Sequence, residues 1–334
     1  MRVLLTIDTE LTWRHRRAGW ERNLALSYDP AGVGVRYQLD QLRRHGLRAT
    51  FFVDPMPALA YGLEPVRRMV APILAAGQEV QLHIHPAWHD LARGREQLRF
   101  ELSDFTFEEQ SDLIATARDL LVAAGAPAPV AFRAGSYAAN GDTLRALAAL
   151  GIAYDSSHNG AEHPHASRLP FAPTLIDPAR SHGVTEIPVS QIARRDGGLR
   201  PFQLCALSSR EMEDALLHAA RNGHPTTTIV GHSFELATRD GMRVNGLVRG
   251  RFDRLCTFLA DNRATMSTAR FDSLKLAPPA TVARPLPPHG LRTAWRMTEQ
   301  AWGTARYEKP ALGATMIAMP PLLAMEELVS LAGF

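Results

Sequence analysis

The feature that most constrains this chain is a unit that recurs along it. A short run rich in β-branched and apolar residues is followed by a segment with helical spacing, and most of those segments are closed by a glycine before the next run begins. Arg2 to Ile7 is such a run, and so are Arg48 to Val53, Val80 to Ile84, Val130 to Phe132, Ile152 to Tyr154 and Thr226 to Val230. Helices are expected from about Val33 to His45, stopped by Gly46, and from about Leu63 to Ala76, stopped by Gly77. Another begins at Thr106-Phe107-Glu108-Glu109, which has the form of a capping box, and more follow at Thr143 to Leu150, Ser209 to Arg221 and Gly250 to Asp261. Strand, helix, strand repetition makes successive strands parallel, because the helix carries the chain back to the end where the previous strand began. The expected fold is therefore α/β, one barrel-like domain over residues 1–276. Leu11 to Pro30 is polar and arginine-rich and reads as a loop. Glu186-Ile187-Pro188-Val189 reads as a terminal or edge strand, since Pro188 has no N–H to give to a ladder.

Composition allows this and excludes alternatives. The chain has 334 residues, 46% hydrophobic and 21% charged, enough to bury a full core. Its formal charge is only +3, and its arginines are scattered apart from small clusters at Arg14-His15-Arg16-Arg17 and Arg194-Arg195. A nucleic-acid surface would need a basic stripe interleaved with aromatics, so no nucleic-acid partner is expected. Cys205 and Cys256 form no C-x-x-C pair and read as two buried thiols of a reducing compartment. No run reaches the roughly 18 apolar residues of a membrane span, and the first apolar run is too short for a signal peptide; a cytoplasmic location is expected. Residues 277–290 are proline-rich and read as a linker. Residues 291–334, with apolar patches at Ala311 to Ala318 and Leu322 to Leu331, read as a helical appendage that packs on the barrel or on a partner chain, the latter making a homodimer.

The chemistry lies at the carboxyl ends of the expected strands, where catalytic groups of parallel α/β folds collect. Asp8 and Glu10 follow the first run, His83 and His85 the third, Arg133 to Tyr137 the fourth, Asp155 the fifth, and His232 the last. Strand periodicity of two puts Asp8 and Glu10 on one face, and likewise His83 and His85. Two imidazoles and a carboxylate can share one divalent cation and leave positions open for water and substrate. His85 and His89 offer a competing pair, if Pro86 starts a helical turn.

At this level the chain resembles the polysaccharide deacetylases with the NodB-homology domain, carbohydrate esterase family 4. Thr6-Ile7-Asp8-Thr9-Glu10 resembles the family's T-F-D-D motif, and Ala49-Thr50-Phe51-Phe52-Val53 its A-T-F-F-V strand. Gly77-Gln78-Glu79-Val80 resembles the lead-in to its histidine motif, Arg133 to Tyr137 its R-x-P motif, and Val230-Gly231-His232 its final L-x-H. The resemblance implies a distorted (β/α)7 barrel with a C-terminal helical extension, a divalent metal, and hydrolysis of an N-acetyl group on an amino sugar. Asp8 matches the catalytic base, Arg133 the residue that orients it with Asp155 as a pairing partner, and His232 the general acid. Backbone N–H groups near Ser136 and Tyr137 match oxyanion donors. The family's second aspartate is Thr9 here and its H-x-x-x-H spacing is absent, so Glu10, His83 and His85 are expected on the metal, with His89 as the substitute. Zn2+ is the expected ion, with Co2+, Ni2+ or Mn2+ as alternatives. Trp88 and Trp13 are candidates for stacking on a saccharide substrate. Two other readings fit the same barrel: a metal-independent, allantoinase-like C–N hydrolase, and a non-catalytic carbohydrate-binding module.

Overall fold

Period-two alternation sorts strand side chains onto two faces, and in the folded chain these become the inside and the outside of a barrel. The computed structural model of the protein describes residues 1–276 and 282–308. Its strands are β1 (Arg2–Thr9), β2 (Thr50–Val53), β3 (Glu79–Ile84), β4 (Ala131–Ala134), β5 (Tyr154–Asp155), β6 (Ala179–Ser181), β7 (Val184–Glu186), β8 (Gln191–Ala193), β9 (Leu199–Pro201), β10 (Thr226–His232) and β11 (Ser267–Thr268). The helices are α1 (Trp20–Ser27), α2 (Val35–His45), α3 (Ala58–Tyr61), α4 (Glu64–Ala75), α5 (Ala87–Ala92), α6 (Phe107–Ala123), α7 (Gly141–Ala149), α8 (Ser209–Arg221), α9 (Gly246–Asp261) and α10 (Gly290–Gly303). The main sheet runs β10-β1-β2-β3-β4-β5-β7-β6 and is parallel except for the β6–β7 hairpin. Its open side is spanned by the segment after β7: Ser190 N–H donates to Thr228 O at 3.2 Å, and Leu204 N–H to Val230 O at 3.1 Å. The result is a distorted (β/α) barrel. No helix among the described residues is long and apolar enough to cross a membrane.

The two faces carry different chemistry. Val3, Leu5, Ile7, Phe51, Val53, Val80, Leu82, Ile84, Phe132 and Ile229 point outward and join the helices in one continuous apolar core, each large side chain contributing about 1.5–3 kcal/mol by its burial. Inward, Leu4, Phe52, Ala131, Ile187 and Phe271 form a separate plug at the barrel floor. Above it the inner positions turn polar: Asp8 on β1, Gln81 and His83 on β3, Arg133 on β4 and His232 on β10. Parallel register places Asp8 beside His232 and His83 beside Arg133.

Two stretches differ from the pattern read in sequence. Leu11 to Pro30 is not a plain loop, because it contains a 3-10 turn (Trp13–Ala18) and the helix α1, whose Ser27 and Asn23 are buried around Thr12. Pairing of the Glu186-Ile187-Pro188-Val189 stretch stops at Glu186, since the following residues leave the sheet to span its open side. Cys256 is buried, but Cys205 is exposed, on a turn rather than in an apolar segment. Of the C-terminal extension, α10 is described, whereas the patches 311–318 and 322–331 lie outside the described residues.

The floor depends on Glu79. Its carboxylate accepts from the Thr50 hydroxyl, from Gln81 Nε2 at 2.8 Å, and from the N–H groups of Phe271 at 2.9 Å and Asp272 at 2.6 Å, tying β2 and β3 to the chain beyond β11. Substituting Glu79→Ala strands those donors in a site closed to water. The expected loss is about 3 kcal/mol, read as a lowered urea midpoint with an unchanged slope.

Candidate active site

The strand ends bring Asp8, Glu10, His83, His85, Arg133 and His232 together at one end of the barrel. Asp8 and Arg133 form a buried ion pair, with Nη1 donating to Asp8 Oδ1 at 2.7 Å. Arg133 spends its other donors on Ser156, Nε to the backbone oxygen at 3.0 Å and Nη2 to the hydroxyl at 3.1 Å, and its plane lies 4.4 Å from the Phe52 ring centre. Burial by itself would raise the Asp8 pKa, but the charge and hydrogen bond of Arg133, helped by the charge of His232, outweigh it and hold the carboxyl below its usual range. Asp8 is therefore ionised at neutral pH. Its second oxygen, Oδ2, lies 3.9 Å from His232 Nε2.

Glu10, His83 and His85 make the second group, with one ligand atom from each lying within 4.8 Å of the others. His83 Nδ1 lies 2.8 Å from the carbonyl oxygen of Arg133. A carbonyl can only accept, so Nδ1 carries the proton and Nε2 presents a lone pair. Burial pushes the His83 pKa down to about 4, so the ring is neutral, as a metal ligand must be. His85 Nε2 and Glu10 Oε2 are in direct contact. Burial opposes charge on both, but their mutual attraction prevails, lowering Glu10 to about 2 and raising His85 to about 9. The two groups share a proton in a place where a divalent cation would serve the same electrostatic purpose. Two imidazoles and one carboxylate, already gathered and largely dry, fit such an ion.

His89 is not part of this cluster. Helix α5 begins only at Ala87, so His85 still belongs to the strand exit and the i, i+4 relation does not bring the two rings together. His89 Nδ1 instead contacts Asp90 Oδ1 at 3.2 Å, on a carboxylate also bound by Arg99. Asp155 is separated from the site as well. It is in register with Phe132, not Arg133, so its side chain leaves the sheet on the outer face, where it accepts from the Ser157 hydroxyl at 2.6 Å. Beside it Glu186 is also buried, and burial plus the proximity of Asp155 raises its pKa, so the pair holds a proton between them. Trp88 is 1% exposed and packs edge-on against Trp13 and Tyr61, which leaves no face for a sugar.

Ser136 and Tyr137 have φ of 54° and 58°. Left-handed backbone at two consecutive non-glycine residues is strained and is found where a turn is held for function. Tyr137 is further pinned by Gln203 Nε2, which donates to its hydroxyl at 3.0 Å.

Three contributors went unread in the sequence. Glu235 accepts from His232 Nδ1 at 2.6 Å, and although burial favours the neutral ring, the charge and hydrogen bond of Glu235 raise the His232 pKa to about 9. The H-x-x-E spacing of His232 and Glu235 was its available signal. Asp54, fully buried, follows Phe52 by two residues and so shares its inward face; burial pushes its carboxyl up to about 7, beside His85 and Glu10. Gln203 had no local signal.

No family model matches the chain, and no curated protein matches it. Solved structures do. A candidate polysaccharide deacetylase from Mycobacterium smegmatis aligns over 85% of this chain and 94% of its own, with 20% identity and a TM-score of 0.54. A family 4 carbohydrate esterase from Streptomyces lividans in complex with acetate aligns over 86% and 98%, with 16% identity and a TM-score of 0.43. A family 4 pseudoenzyme from Bacillus anthracis aligns over 80% and 63%, with 13% identity and a TM-score of 0.42. The first of these likenesses shows that the chain shares its fold, a distorted (β/α) barrel.

Gly135 marks how closely the site is packed. A Cβ there would stand 2.5 Å from Cε1 and 2.6 Å from Nδ1 of His85, and 2.8 Å from the Ile84 oxygen. Gly135→Ala is expected to displace His85 and so to weaken any divalent-cation binding at Glu10, His83 and His85 by about 10- to 100-fold while the circular dichroism spectrum stays unchanged; calorimetric titration with divalent cations measures it.

Proposed function

We propose that this chain, a polysaccharide-deacetylase barrel, is a hydrolase that removes the acetyl group from an N-acetylated amino sugar or a related small amide. The observation that carries the reading is a pair of opposed, pre-charged groups beside a ligand cluster: ionised Asp8 backed by Arg133, and protonated His232 backed by Glu235, next to Glu10, His83 and His85. Amide hydrolysis needs one group to take a proton from water and another to give one to the leaving nitrogen, and here the two are charged in the required senses before substrate arrives.

Glu10, His83 and His85 would hold a divalent cation, with Zn2+ the ion best suited to two imidazoles and a carboxylate. Bound there, such a cation polarises an acyl carbonyl and makes water a better nucleophile at neutral pH. Asp8 accepts the proton of the attacking water through Oδ2, because Oδ1 is committed to Arg133. Water oxygen bonds to the carbonyl carbon, the C–N bond breaks, and His232 Nε2 delivers its proton to the departing amine. Glu235 keeps the ring charged and oriented for this delivery, since it engages Nδ1 and leaves Nε2 facing Asp8. The N–H groups of Ser136 and Tyr137 are the candidates to receive the negative oxygen of the tetrahedral carbon.

Acetate release from N-acetylglucosamine oligomers or glycosides is the direct assay. Asp8→Asn should lower kcat by about 100- to 10,000-fold, and chelation should abolish turnover until Zn2+ is restored. Turnover that survives chelation would overturn the metal requirement in favour of the metal-independent hydrolase.

The pH profile tests the other half of the pair. His232 acts in its protonated form, so the rate falls as pH rises through its pKa near 9. Glu235→Gln removes the charge that raised it, and the alkaline limb should move down towards the ordinary histidine range near 6.5, with a lower maximum. An alkaline limb that stays in place would show that another group sets it.

A further inference from the structure

Of the C-terminal extension, the described helix α10 holds no member of the ligand cluster, yet it is bound to α8 and α9 of the barrel. It docks with its charged side inward. Arg292 Nη1 lies 3.2 Å from Asp214, Arg296 Nε 3.9 Å from Glu211, and Glu299 2.8 Å from Arg251, while Leu291, Trp295 and Trp302 are 79%, 59% and 53% exposed. Contact of this kind is directional and fixes a geometry more than it buries apolar surface. At its end, Gly303 approaches so near to Leu247 of α9 that a Cβ would stand 2.9 Å from Cδ2.

Arg251 relays the contact. It is 4% exposed, its Nη2 donates to Glu299, and its Nη1 donates to the backbone oxygens of Leu204 at 3.2 Å and Cys205 at 3.0 Å. On the other side of the same turn, Arg200 of β9 donates to Glu211 at 3.1 Å, the carboxylate that Arg296 approaches. Between these two ties the chain runs directly against β10. Val230 N–H donates to Phe202 O at 2.9 Å, and Leu204 covers Gly231 so closely that a Cβ on the glycine would stand 2.7 Å from Leu204 Cδ1. Gln203, in the middle, holds the Tyr137 hydroxyl.

We infer that α10 is a positioning element of the active site: Glu299, acting through Arg251, fixes the 203–205 turn and so sets where His232 and Tyr137 stand. Its bearing on turnover rests on the role given to His232 above, whereas the tie itself does not. Glu299 is a positioning residue and touches no substrate.

Backbone amides provide a readout independent of catalysis, because Leu204 N–H bonds to Val230 O and Val230 N–H to Phe202 O, whereas the ladder between β2 and β3 is not part of the turn. In the full chain, Glu299→Ala should accelerate hydrogen exchange at the Leu204 and Val230 amides by about tenfold, as local opening of the turn becomes easier, with no change at the amides paired between β2 and β3. It should lower kcat for acetate release by about tenfold and leave KM within about twofold, since alignment rather than binding is lost. Glu299→Gln keeps an acceptor for Arg251 and should restore both readouts to within about threefold. Exchange at Leu204 and Val230 that is unchanged in Glu299→Ala, or that rises in parallel at the amides paired between β2 and β3, overturns the inference. Absence of acetate release in the parent protein would count against the proposed activity alone, because hydrogen exchange still decides whether α10 holds the turn.

Discussion

A guanidinium with no access to water needs partners inside the protein, and each nitrogen of Arg133 finds one in a way that assembles the site. Its bonds reach Asp8 at the end of β1 and Ser156 just beyond β5, its ring neighbour is Phe52 of β2, and its own backbone oxygen orients His83 of β3. One residue on β4 therefore coordinates groups from four other strand ends. Removing either member of such a buried pair leaves an uncompensated charge, which costs several kcal/mol. The arrangement thus defines the site's geometry and penalises departures from it.

Electrostatic opposition is the site's second property. Carboxylates and imidazoles alternate around the mouth, and each group's protonation is set by its neighbour as much as by burial. Glu235 charges His232, Arg133 keeps Asp8 ionised, and the Arg133 carbonyl fixes the tautomer of a neutral His83. Glu10 and His85 neutralise one another. A cation entering between them would replace a proton, so ion binding and acidity are coupled there.

The ties of α10 extend this logic beyond the barrel. A curled sheet that does not close by strand pairing needs another means of holding its open side, and the 187–204 segment serves here. That segment has little regular structure of its own, so Arg200 of β9 and Arg251 of α9, the latter paired with Glu299 of α10, tie its turns down.

Much of the fold and site was legible in the sequence because local rules govern them. Period two placed Asp8 with Glu10 and His83 with His85, and glycine stops and capping signals located most helices to within a few residues. What local rules could not provide was register and the relation between faces of different strands. Asp155 resembles a partner for Arg133 in sequence, but a register with Phe132 turns it to the other side of the sheet. Trp88 reads equally well as a sugar platform or a core anchor, and only packing against Trp13 and Tyr61 decides for the core. The choice of His83 and His85 over His89 depended on where α5 begins relative to Pro86. The sequence by itself determined which residues could carry chemistry and which side of each strand they occupy, because side-chain alternation is a property of the backbone. Tertiary structure alone decided which of them meet, because strand register, the crossing segment and the docking of α10 arise from contacts between residues far apart in the chain.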